Sequence, residues 1–112
     1  MRLQPNTDFA GTHYQADGAD NAAAAITVNA DPDHCWGVVS IEWSYSADPT
    51  GGGLKIEAGG VKIFEIAITK GGPGQLEFRR PKHHNGIKNE QLVITLAAGG
   101  SGVTSDLNAE IV

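Results

Sequence analysis

The sequence predicts an all-β chain, an antiparallel β-sandwich or jelly roll of about seven to eight short strands with an N-terminal extended arm. Three observations lead there. Glycine occupies 15 of 112 positions, about twice the usual share of roughly 7%, and it clusters between apolar segments. Those segments alternate apolar and polar residues with a period of two, the signature of half-buried strands. Turn signals recur at intervals of about ten residues, the spacing of sandwich and barrel proteins. The stretch SYSADPTGGGLKIEAGG (Ser44–Gly60) condenses all three: one very short apolar run, LKIEA, lies between glycine-rich reversals.

Met1–Asn21 is polar and without a sustained period, and it reads as an arm preceding a domain at 22–112. Leu3, Phe9 and Tyr14 are its large apolar side chains. Spaced about 17–20 Å apart along an extended chain, they suit anchors that reach a partner across a subunit boundary. AAAAITV (Ala22–Val28) mixes helix-favouring alanines with the β-branched residues of a strand. Its shortness and the nearby Pro32 decide for a strand over about Ala24–Asn29. ADPDH (Ala30–His34) is a turn.

CWGVVSIEWSYS (Cys35–Ser46) carries the clearest alternation. Val39, Ile41, Trp43 and Tyr45 share one face, and Ser40, Glu42 and Ser44 the other. After DPTGGG, Leu54, Ile56 and Ala58 point inward. Gly59-Gly60 then forms a two-residue hairpin, because primed turns need positive φ. In Val61–Thr69 the phase slips: Val61 and Ile63 match one face, while Phe64, Ile66 and Ile68 take the other. Either a bulge near Ile63–Phe64 restores the facing, or both faces are buried and Phe64, Ile66 and Ile68 form an oligomer interface. QLEFR (Gln75–Arg79), LVITLAA (Leu92–Ala98) and VTSDLNAEIV (Val103–Val112) complete the strands, separated by KGGPG, PKHHNGIKNEQ and GGSG.

Bulk properties exclude several function classes. The net charge of −5 argues against a sequence-independent grip on nucleic acid, which needs clustered cations. The densest basic patch, FRRPKHH (Phe78–His84), is local. A single cysteine, Cys35, forbids an internal disulfide. The N-terminus lacks the apolar region of a secretory signal, no apolar run approaches the roughly 18 residues of a membrane span, and the chain reads as intracellular in origin. His83 and His84 are adjacent and diverge on an extended chain. DPDHC (Asp31–Cys35) lacks the second pair of ligands that a zinc site uses and the pattern of a calcium loop. No metal or cofactor is expected. No GxSxG elbow or phosphate-binding loop occurs. Glu42, Glu57, Glu65 and Glu77 recur on strands and read as solvated outer-face charge, so no enzyme is expected. Trp36, Trp43 and Tyr45 are candidates for a sugar-stacking platform, although Trp43 and Tyr45 share the parity of the core.

YSADPTGGGLKI, VKIFEIAITKGGPG and LVITLAAGGSGVTSDLNAEI form an ordered set over about Trp36–Val112. The set resembles small all-β virion structural proteins of tailed bacteriophages, of the capsid cement or decoration type. The resemblance implies a homotrimer that binds the major capsid protein or another virion protein across capsomer boundaries and stabilises the shell. It implies a place on the capsid exterior after synthesis in the host cytoplasm, without direct contact with nucleic acid or membrane. It brings no catalytic or ligand residues. The alternative is a carbohydrate- or receptor-binding β-sandwich module of a head or tail fibre, or another tail or neck protein.

Overall fold

The computed structural model describes residues 11–112. Eight strands form: β1 (Thr12–Gly18), β2 (Ala24–Val28), β3 (Val38–Tyr45), β4 (Gly53–Ala58), β5 (Val61–Ala67), β6 (Gly72–Lys82), β7 (Leu92–Leu96) and β8 (Ser105–Ile111). They make two four-stranded antiparallel sheets, ordered β1-β8-β3-β6 and β2-β7-β4-β5. Strand β1 pairs with β8, β2 with β7, β3 with β6 and β4 with β5. A long hairpin rolled upon itself gives this order, so of the two expected architectures the chain adopts the jelly roll.

The core lies between the sheets. Leu54, Ile56, Ile94, Leu96 and Leu92 from one sheet meet Val38, Ile41, Tyr45, Leu107 and Ile111 from the other, each at most 1% exposed. Each strand places its alternate residues there because successive side chains point to opposite faces. Tyr45 ties the layers together. From β3 its phenol donates to the Ala97 carbonyl, just past β7, at 2.6 Å, and it accepts from the Gly53 N–H of β4 at 3.4 Å. Phe64 of β5 and Phe78 of β6 meet edge to face at 5.3 Å and close one open side.

Two bulges explain where simple alternation fails. Ile56 faces Phe64 while Glu57 faces Lys62, so Ile63 is the extra residue of β5. The bulge returns Phe64, Ile66 and Ile68 to the inner face: Ile68 is in the core, and Phe64 and Ile66 pack against it. The change of parity therefore needs no second subunit. In β3, Val38 faces Ile111 while Ser40 faces Glu110, leaving Val39 unpaired. Val38, rather than the expected Val39, joins Ile41 and Tyr45 in the core. The Gly59-Gly60 hairpin forms as expected, with φ of 59° and 82°.

The expected arm is corrected from Thr12 onward. Residues Thr12–Gly18 pair along their whole length with β8, and Tyr14 and Ala16 pack against the core. Tyr14 is thus a domain residue, half-buried against the core. Leu3 and Phe9 lie outside the described residues. Strand β6 also exceeds the expected Gln75–Arg79, because Gly72–Gly74 continue its pairing with β3.

Candidate functional site

The outer face of the β1-β8-β3-β6 sheet is a grid set by register. Its central row runs Gln15, Asn108, Glu42, Gln75, each the direct cross-strand neighbour of the next. One flanking row runs Asp17, Asp106, Ser44, Pro73, and the other His13, Glu110, Ser40, Glu77. Neighbouring columns stand about 4.8 Å apart, the spacing of paired strands. Five positions are carboxylates, five bear amides or hydroxyls beside them, and none is Lys or Arg. A groove of about 650 Å³ crosses the face, lined among others by Gln15, Glu42, Gln75, Asp106 and Asn108. A smaller acidic recess of about 120 Å³ adjoins it at His13, Glu42, Glu77 and Glu110.

Two contacts organise these side chains. His13 Nε2 lies 3.2 Å from Asn108 Oδ1, which orients the Asn108 amide within the central row. Asp17 and Asp106 sit directly opposite each other. A hydrogen bond with Asp17 holds the Asp106 carboxyl above its usual range, and slight desolvation and the like charge push the same way. The carboxylate opposite it thus favours the protonated form of Asp106.

The opposite outer face differs in kind. Its charges are balanced: Lys55 pairs with Glu57 at 3.8 Å, and Lys62 with Glu65 at 2.5 Å. A groove of about 460 Å³ there is lined by Gly51, Gly52, Gly53, Lys55, Glu65 and Thr95, among others. The four glutamates singled out along the sequence are divided between the two faces: Glu42 and Glu77 lie on the acidic face, and Glu57 and Glu65 on the balanced one. They form no common site.

The aromatic candidates are likewise separated. Tyr45 is 1% exposed. Trp43 packs against the core, in space left by Gly74, where a Cβ would overlap the indole. Trp36 sits on the β2–β3 loop, its indole donating to the Asn29 carbonyl at 3.0 Å and tilted over His34. No three-aromatic platform results. The metal candidates have structural partners instead. Asp31 Oδ1 accepts from the Asp33 N–H, His83 Nδ1 accepts from the Gly86 N–H, and His84 pairs with Glu90 at 2.9 Å. Among the described residues no three His, Cys, Asp or Glu side chains converge as metal ligands.

Sequence reasoning missed Gln15, Asp17, Asp106, Asn108 and Glu110 as one surface. Their outward parity on β8 was legible, since Leu107, Ala109 and Ile111 alternate with them. Their neighbours on β1 were hidden in the segment read as an arm.

No protein-family model and no curated relative matches the chain. Solved structures share a general likeness. A carbohydrate-binding module, CBM36, in complex with calcium and xylotriose is 13% identical, with a TM-score of 0.45 over 87% of this chain and 75% of that one. The C-terminal CBM6 of LamC, a marine laminarinase from Zobellia galactanivorans, is 9% identical with a TM-score of 0.46, over 88% of this chain and 100% of that one. The Drosophila NLP core, a structure concerned with pentamer formation and histone binding, is also 9% identical, with a TM-score of 0.47 over 89% and 97%. Proteins this distant and this varied carry no function across to the present chain.

Proposed function

We propose that the chain is a carbohydrate-binding β-sandwich module whose binding face is the outer surface of the β1-β8-β3-β6 sheet. The observation that carries this reading is the central row Gln15–Asn108–Glu42–Gln75 beside a groove of about 650 Å³. Amides offer a donor and an acceptor on one planar group, and a carboxylate accepts at two oxygens. Neighbouring hydroxyls of a sugar ring present the complementary pattern. The side chains stand on paired strands, so little ordering entropy is lost when a ligand binds. The carboxylates disfavour anionic partners such as nucleic acid.

The experiment is affinity electrophoresis against soluble polysaccharides together with a glycan array. Binding to at least one neutral glycan is expected. Gln75→Ala and Asn108→Ala should each weaken it at least tenfold while leaving the melting temperature within a degree or two. Absence of binding to any glycan overturns the proposal.

A capsid cement or decoration protein is the second reading. The jelly-roll order favours it, because viral capsid domains and lectins share that architecture. Under this reading the same flat face meets the major capsid protein, and Phe64, Ile66 and Ile68 support the closed edge rather than a trimer contact. Co-sedimentation with phage shells in the absence of glycan binding decides for it.

A further inference from the structure

Resting on the glycan reading, we infer that this face selects an uncharged, extended glycan that lies across the strands and engages about three rings. Gln15, Asn108, Glu42 and Gln75 come from four different strands and form a line perpendicular to them. Four columns at a strand spacing of about 4.8 Å make a line of roughly 14 Å. A pyranose unit in an extended glycan advances by close to one strand spacing. Each ring laid along the row therefore meets a new side chain, and the three intervals between four columns accommodate about three rings. A chain laid along the strands would instead cross the three rows and meet, for example, Glu110, Asn108 and Asp106 on β8 alone.

The flanking rows supply selectivity. Asp17 and Asp106 border the central row on one side, and Glu77 and Glu110 on the other. With Glu42 inside the row and no Lys or Arg in the grid, a uronate or sulfated sugar seated along the central row meets like charges, and Arg79, next beyond Glu77 on β6, lies outside the grid. Such repulsion discriminates between ligands that otherwise fit equally well. Uncharged hydroxyls meet no such barrier.

The test uses the intact chain and titration calorimetry with two ligand series, uncharged β-linked glucose oligomers from the single sugar to the hexamer and uronate oligomers of matched length. Affinity for the uncharged series should climb with each added ring to the trimer and then level off. The uronate trimer should bind at least tenfold more weakly at low salt, and that gap should narrow at 1 M salt, where the screening length falls to about 3 Å. The Glu77→Gln/Glu110→Gln variant, with the central row intact, should gain affinity for the uronate trimer at low salt and keep its affinity for the glucose trimer. A flat dependence on length, or equal binding of the two trimers, overturns the inference and leaves the glycan reading standing if the array is positive. Failure to bind any uncharged oligomer, with a negative array, overturns both.

Discussion

Replacing Tyr45 with Phe isolates one bond between the two layers of the sandwich. The ring remains, so packing is preserved, and only the hydroxyl is lost. That hydroxyl donates to the Ala97 carbonyl at 2.6 Å and accepts from the Gly53 N–H at 3.4 Å, in a residue that is 1% exposed. A net hydrogen bond contributes about 1 kcal/mol, whereas removing one partner so that a buried polar group is left unsatisfied costs about 1–3 kcal/mol. The 3.4 Å contact is long and adds little. Tyr45→Phe should therefore cost about 1–3 kcal/mol, most of it from the orphaned Ala97 carbonyl. An unfolding entropy near 2.1 cal/mol/K per residue makes 1 kcal/mol worth about 4 °C here, so Tm should drop by about 4–12 °C. Urea denaturation with an unchanged m-value and a scanning calorimetry trace check both numbers. A loss below about 0.5 kcal/mol, within the range of neutral surface changes, would refute the cross-layer role of the phenol. The pH dependence offers an independent readout. Burial raises the Tyr45 phenol above its ordinary 10.0, against the opposing effect of the Gly53 N–H. The folded chain thus holds this proton longer than the unfolded one, and stability falls as pH climbs past 10.0. The Phe variant should lack that component of the alkaline decline.

Asp106→Asn should raise stability at neutral pH. Asp106 has a raised folded-state pKa, so its favourable contribution is present below 3.8 and is lost as pH rises through the folded value; chemical denaturation across that range should show the gap between variant and parent closing in acid. Gly74→Ala should cost about 1–3 kcal/mol, because the new methyl displaces the Trp43 indole from its place over β6, and a shift in tryptophan fluorescence should accompany the lower urea midpoint. Leu107→Ala, at a position 0% exposed between the sheets, should cost about 2–5 kcal/mol, read from the same denaturation curves. Deleting residues 2–20 should destabilise the whole domain, since it removes β1 from β8; a truncated protein that melts like the parent would contradict the role of β1 in the sandwich.

Alternation along the chain was enough to locate β2, β3, β4, β7 and β8 and to choose the inward residues of β4, β7 and β8. Leu54, Ile56, Leu92, Ile94, Leu96, Leu107 and Ile111 are all core residues, because a strand with one face against a core must repeat every two residues. The Gly59-Gly60 reversal was legible for an equally local reason, since both residues adopt positive φ. β1 was not. It is an edge strand, and the inward residues of THYQADG, namely Tyr14, Ala16 and Gly18, include one large apolar side chain among small ones. Pairing with β8 holds it in place, and local periodicity carries no trace of that. The bulges at Val39 and Ile63 are one-residue insertions whose effect depends on the partner strand. For Ile63 the phase slip announced a choice between bulge and interface, and register decided it. The candidate site belongs to tertiary structure altogether. His13 and Asn108 are 95 residues apart in the chain and within hydrogen-bonding distance in space. Composition and alternation determined that this is an all-β sandwich with polar outer faces. Only the rolling of the long hairpin placed Gln15, Asn108, Glu42 and Gln75 in one row, because cross-strand register is a relation between distant segments that no local pattern records.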